Sequence, residues 1–308
     1  MKIHVCSMFS LPYANRTIPV WDVARKQGHE VTVSNNKLPT QRPDAVIVMG
    51  VAPQAHTLQV IEKFPDVPFF VYNWDVYEWV WTNPRPGEYD YKTYGEVMAK
   101  AKEIWVPSEC TGRRTTQWYD LKNWRVILSS VPWWDYSDIS DGGYALCCLR
   151  EIPDPAWGMF EKTCQDIGIP FKTPKHELEY ENYKKIVANA RFLVAPLYEV
   201  STGGLSLYEA YYHGKPCLIS DSKWNGAKDY LGERATYFEH GNLDDFKNKL
   251  LKMYHDTPVL DVNDCRKWVT ENYSEDRMIN DMLDRMAQCG VEVAGTNTTK
   301  ESWQESYK

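Results

Sequence analysis

The sequence predicts an α/β protein of two domains, each a parallel sheet covered by helices, facing one another across a cleft. Three observations carry this. Short runs rich in Val and Ile alternate with helical patterns along the chain, which is how a sheet buried on both faces reads. The alternation halts once, at 132–143, in a stretch that ends in turn formers, and then restarts. A chain of 308 residues is long for one core and suits two domains of ordinary size.

The first expected domain is 1–132. Ile3–Phe9 reads as a strand, Ala14–Gln27 as a helix ended by Gly28, and Glu30–Ser34 as the second strand. Ala45–Val51 is a strand followed by a helix from Pro53 to Lys63; Phe69–Tyr72 is the next strand. Gly95–Lys102 lies on a helix, Ile104–Val106 on a strand, Glu109–Tyr119 on a helix, and Arg125–Val131 on the last strand. After a linker at 133–143, the second domain, 144–290, opens with strand Tyr144–Leu149 and a helix around Ala156–Ile167. A helix from Glu177 to Asn189 leads into strand Arg191–Ala195, and Lys215–Ser220 begins another strand. Strand Thr236–Glu239 precedes three helices, Asp244–His255, Asp261–Tyr273 and Glu275–Cys289. Residues 291–308 are polar and without periodicity, and read as a tail. Each half is Rossmann-like, and ligands of such open sheets bind at the carboxyl ends of the strands.

Composition sets mild bounds. With 43% hydrophobic and 25% charged residues the chain reads as soluble and globular. Its 13 Trp and 20 Tyr favour cores, and also ligands on which aromatic rings stack, such as sugars or bases. Eight scattered cysteines with no C-x-x-C pair read as reduced thiols of a cytoplasmic protein with no structural metal. The opening apolar stretch is too short and interrupted for a signal peptide, and no run reaches membrane-spanning length. A net charge of −7 opposes tight general binding to nucleic acid.

The most informative segment is 198–220, Tyr-Glu-Val-Ser-Thr-Gly-Gly-Leu-Ser-Leu-Tyr-Glu-Ala-Tyr-Tyr-His-Gly-Lys-Pro-Cys-Leu-Ile-Ser. It follows a buried strand, turns at Gly203-Gly204, opens a helix carrying Glu209, and closes that helix at His213-Gly214. A glycine turn at a helix N-terminus leaves backbone N–H groups for phosphate or sugar oxygens. A carboxylate further along the same helix can accept from the vicinal hydroxyls of a ribose. Together they suit a nucleotide-diphosphate-sugar. A βαβ crossover whose glycines only make turns is the plainer reading.

This segment resembles the donor-binding segment of GT-B glycosyltransferases, especially the retaining family-4 type, written Glu-Gly-Phe-Gly-(four residues)-Glu-Ala. Gly204, Glu209, Ala210, Gly214, Pro216 and Ser220 fall where that family has them, while Ser201 stands where its first Glu is expected. Ala24–Val33, with Gly28-His29-Glu30-Val31, is similar to the helix–turn–strand that opens many such enzymes. The resemblance implies that Ser201, Thr202, Gly203, Gly204, Leu205 and Glu209 bind the donor. Ser201 and Thr202 can equally cap the helix. It implies further that Arg150, after the first strand of the second domain, meets the pyrophosphate charge in place of a metal; a surface arginine is the alternative. No Lys occupies the family's place a few residues on, and Lys172 or Lys215 are the substitutes at hand.

On the acceptor side, Asn73-Trp74-Asp75 ends a strand at the cleft. Asp75 is expected to contact the acceptor or take its proton, with Asn73, Trp74 and His56 beside it; for His56 an ordinary helix N-terminus is the alternative. The implied activity is transfer of a sugar from a nucleotide-diphosphate-sugar to an acceptor hydroxyl, with retention, by a cytoplasmic enzyme needing no metal. The acceptor can be a glycan, a small molecule, or DNA with a hydroxymethylated base, as for transferases of viral type. Lys100, Lys102, Arg113, Arg114, Lys122 and Arg125 are the basic residues that suit the last, or simply line solvated helix faces. A non-catalytic nucleotide-sugar-binding protein of the same fold is the reading outside enzymes.

Overall fold

The computed structural model describes residues 1–7, 14–50, 54–74, 91–131, 138–148, 155–174, 180–196 and 204–293. Strands β1 (Lys2–Cys6), β2 (Glu30–Ser34), β3 (Ala45–Met49), β4 (Phe69–Tyr72), β5 (Glu103–Val106) and β6 (Trp124–Val126) form one sheet in the order β2-β1-β3-β4-β5-β6. Strands β7 (Ala145–Leu146), β8 (Phe171–Lys172), β9 (Phe192–Ala195), β10 (Cys217–Ser220) and β11 (Thr236–Phe238) form the other, in the order β11-β10-β9-β7-β8. All pairings are parallel. The strand order therefore reverses between β1 and β3 in one sheet and between β7 and β9 in the other. These are the switch points at whose carboxyl ends open α/β sheets form their ligand crevices.

In the first half, helices α1 (Ala14–Lys26), α2 (Gln54–Lys63), α3 (Tyr91–Lys100) and α4 (Glu109–Tyr119) cover the sheet. The second half adds α5 (Pro155–Ile167), α6 (Tyr180–Ala188), α7 (Leu205–Tyr212), α8 (Gly226–Leu231), α9 (Leu243–His255) and α10 (Val262–Tyr273). Central strands such as Ala-Val-Ile-Val-Met of β3 are buried throughout, since helices lie on both faces. Among the described residues no helix is long and apolar enough to cross a membrane.

Local chemistry explains the borders. Ser108 Oγ accepts from the Thr111 N–H at 3.0 Å and starts α4, and Asp120 in the left-handed region (φ 53°) ends it. Gly112 lets α4 lie against β6, where a Cβ would stand 2.5 Å from the Trp124 ring. Several strands are shorter than expected. Arg125–Val131 pairs only as Trp124–Val126, because Tyr72 Oη donates to the Ile127 carbonyl at 2.8 Å and leads the chain out of the sheet. Strand β8 and helix α8 were not anticipated: one is two residues long and the other six, too short for a period to register.

The last helix, α11 (Glu275–Gln288), corrects the expected domain limits. It lies within 144–290 in sequence but packs on the first sheet. Its stripe of Met278, Ile279, Met282, Leu283 and Met286 faces Val20, Trp21 and Ala24 of α1. Arg285 clamps it there through a two-nitrogen contact with the buried carboxylate of Glu103, its Nε lying 2.9 Å from Oε2. The spacing of its apolar residues marks an amphipathic helix without saying which core receives it.

Hydrogen bonds cross between the halves. The Val131 N–H donates to the Tyr273 carbonyl at 2.9 Å, and the Cys110 N–H, in the first turn of α4, donates to Asp229 Oδ2 of α8 at 2.7 Å. Arg113 on α4 lies 4.0 Å from the same carboxylate.

Candidate functional site

Of the donor residues the sequence singled out, Gly204, Leu205 and Glu209 are described, beside the second switch point. Helix α7 begins after Gly204, whose backbone is extended (φ −110°, ψ 144°) and which contributes no side-chain cap. The Leu207 N–H turns back to the Gly204 carbonyl at 3.1 Å, and the Leu205 and Ser206 N–H groups precede it at the open end of the helix. The other end is a Schellman closure: Lys215 N–H to the Ala210 carbonyl at 3.0 Å and Gly214 N–H to Tyr211 at 2.9 Å. Gly214 takes φ +69°, and a Cβ there would meet Val262 at 2.8 Å, so glycine is required twice over. Leu207 and Ala210 are buried in the second core, which fixes the helix's rotation.

That rotation buries Glu209, 1% exposed. Its carboxylate accepts from the Tyr183 hydroxyl of α6, and its carbonyl accepts at 2.7 Å from His213 Nδ1, which therefore carries the proton. Glu209 also stands close enough to Cys148, just past β7, to add to the rise of that thiol's pKa, after burial and Cys147. A charge-bearing helix thus meets the carboxyl end of β7. Tyr183 was missed by sequence reasoning; it sits on another helix, and only packing reveals it as Glu209's partner.

The expected lysine substitutes are turned elsewhere. Lys215 is buried, donates to the Ser140 carbonyl at 2.9 Å, and has its pKa lowered by burial, with Asp141 opposing. Lys172 lies over the Tyr144 ring, 4.0 Å from its centroid. Arg150, Ser201, Thr202, Gly203 and Asp75 lie outside the described residues; Gly204 and Leu205 are placed at the start of α7.

On the first domain, two expectations are corrected. Asn73 is fully buried, and its amide is committed inside the domain. Nδ2 donates to Thr115 Oγ1 at 3.0 Å and Oδ1 accepts from Tyr94 Oη at 2.7 Å. It holds β4 to α3 and α4 and has no surface for an acceptor. His56 is buried beside His4, their ring centroids 6.0 Å apart, and faces the sheet. Trp74 is half-buried, edge-on to Tyr72 with centroids 6.1 Å apart, at the border of the first core. Of the basic residues, Arg113 approaches Asp229, and Arg114 is buried with its guanidinium 5.6 Å from the Trp224 ring centre. Both therefore belong to the contact between domains.

No protein-family model matches the sequence, and no curated protein matches it. Solved structures do match in fold. Sucrose-phosphate synthase from Thermosynechococcus elongatus superposes with a TM-score of 0.67 at 10% identity, over 94% of this chain and 98% of that one. HepE from Anabaena, solved with UDP and glucose, gives 0.64 at 11% identity over 94% and 100%. A putative UDP-N-acetylglucosamine 2-epimerase from Listeria monocytogenes gives 0.55 at 12% identity over 93% and 95%, so this fold also carries chemistry other than transfer. With two parallel sheets, each reversing at its first strand, and a last helix returned to the first domain, the chain has the GT-B fold of these glycosyltransferases.

Proposed function

We propose that the protein transfers a glycosyl group from a nucleotide-diphosphate-sugar to an acceptor hydroxyl, with retention at the anomeric carbon. The observation that carries this is Glu209: a buried carboxylate on the helix that starts at Gly204, beside the carboxyl end of β7 at a switch point. Ribose hydroxyls are the donors such a carboxylate suits, with Tyr183 holding it in orientation. The α7 N-terminal amides and Arg150 would meet the diphosphate, with Ser201, Thr202, Gly203 and Leu205 around it. No added divalent ion is needed at the diphosphate in this reading.

In the reaction, the bond between the anomeric carbon and the diphosphate oxygen breaks and its electron pair leaves with the nucleotide. The acceptor oxygen bonds the same face of that carbon and its proton is released. Asp75 is the acceptor-side group proposed to receive it. The acceptor is a neutral glycan or small molecule, since the adjacent arginines that suggested a polyanion are engaged between domains. The test is to incubate the chain with a panel of nucleotide-diphosphate-sugars and follow released nucleoside diphosphate, with calorimetric titration of each diphosphate alongside. Selective binding and slow donor hydrolysis are expected. Binding without any turnover would leave a nucleotide-sugar-binding protein, and no binding at all would end the proposal.

A further inference from the structure

The first sheet holds a second group of chemically competent side chains, unused in the proposed transfer. His4 and Cys6 stand two residues apart on β1, so both point to the same face, the one covered by α2. His56, in the first turn of α2, packs down on them. One ligand atom from each of the three lies within 4.8 Å of the other two, and all three residues are buried.

Their hydrogen bonding is unusual for a core. His4 Nδ1 lies 2.8 Å from Thr32 Oγ1, which is itself 3.5 Å from the Ile3 carbonyl. In the tautomer with the imidazole proton on Nδ1, the hydroxyl oxygen accepts it and the lone pair is on Nε2. Among the described residues, that Nε2 and both ring nitrogens of His56 are buried with no hydrogen-bond partner. Thr57, next along α2, hydrogen-bonds the Cys6 sulfur. As plain packing, the imidazoles forfeit hydrogen bonds that water would have given them. As a ligand set the arrangement at His4 is ordinary: Nε2 is bare while Nδ1 is held by Thr32.

We propose that His4 Nε2, Cys6 Sγ and one ring nitrogen of His56 bind a Zn2+ ion. Imidazole and thiolate are zinc's preferred donors, with bonds of about 2.0–2.1 Å to nitrogen and about 2.3 Å to sulfur. A tetrahedral ion would draw the three atoms to about 3.3–3.7 Å from one another, which small side-chain rotations achieve from the present spacing. The thiol gives up its proton on binding, and water takes the fourth position. The ion ties β1 to α2 at the switch point of the first sheet. It lies in the half opposite the donor site and supplies no charge to the diphosphate.

The 308-residue chain, expressed with zinc supplied, is expected to retain about one zinc per molecule by elemental mass spectrometry, and Cys6→Ser and His56→Gln much less. Exchange for Co2+ should produce a near-ultraviolet thiolate-to-cobalt absorption that Cys6→Ser loses and Cys289→Ser keeps. Zn2+ added back to the chelated, folded chain should raise its melting temperature. Should the Cys6 variant fail to fold, the wild-type cobalt spectrum decides alone. Absence of zinc together with an unmoved melting temperature, or a cobalt spectrum without the thiolate band, would overturn the site.

Discussion

The Asp229 carboxylate accepts the Cys110 N–H at 2.7 Å, so a residue of the second domain caps a helix of the first. Burial raises the pKa of Asp229, while the Cys110 N–H, Arg113 and Lys228 pull it back down. The folded chain therefore holds this proton more tightly than the unfolded one. Its contribution to stability is greatest below the ordinary aspartate value of 3.8 and is lost as pH rises through the raised folded value. Asp229→Asn cannot titrate. Relative to that variant, wild type should gain stability as pH falls through this window. Urea unfolding at a series of pH values checks it, and a difference that moves the other way would refute the assignment.

Arg285 and Glu103 hold α11 on the first sheet, with Trp105 Nε1 also donating to Glu103 at 3.0 Å. Among the described residues, Arg285→Ala leaves a carboxylate 8% exposed with the indole and the more distant Arg125, 3.8 Å away. Removing one partner of a buried pair costs about 3–5 kcal/mol, and the lower end applies because Arg285 keeps part of its surface in water. Arg285→Met, which retains the packing, should recover little. Denaturant unfolding of both variants measures this; a loss confined to the noise would mean the helix is held by its methionines alone.

Glu209→Gln keeps the shape of the side chain and an oxygen for Tyr183 but removes the charge. A hydrogen bond to a charged acceptor contributes about 1.5–3 kcal/mol, so affinity for a nucleoside diphosphate should fall about tenfold to a hundredfold. Tyr183→Phe should fall less, since it frees the carboxylate to turn. Calorimetry on folded variants gives the answer, and equal affinities across all three proteins would remove Glu209 from the site.

Much of this architecture was legible because its signals are local. The alternation of apolar strands and amphipathic helices sets out both sheets, and Gly204 and Gly214 bracket α7 by backbone chemistry that a single residue determines. What sequence concealed depends on pairs distant along the chain. Asn73 reads as a polar strand end near a cleft, yet Thr115 and Tyr94 consume its amide. His56 reads as a helix start, and only the pleat of β1 brings His4 and Cys6 beneath it. Arg113 and Arg114 read as a basic patch until Asp229 and Trp224 arrive from the other domain.

Those arginines give the last prediction, which separates a polyanionic acceptor from a neutral one. Each phosphate contact with duplex DNA adds about 0.9 to the slope of log affinity against log salt. Arg113 and Arg114 are engaged at the domain contact, so replacing both with Ala should lower stability without revealing what the acceptor is. Lys122 and Arg125 are the informative pair, because their side chains are 79% and 58% exposed and their ion pairs, at 3.9 and 3.8 Å, are loose. With a neutral acceptor, Lys122→Gln and Arg125→Gln together should leave both transfer rate and its salt dependence unchanged. A slope that falls by nearly two units, at unchanged affinity for the nucleoside diphosphate, would instead assign the acceptor to nucleic acid. It would also locate that acceptor along the β6 edge, away from the strand ends where Asp75 is proposed to act.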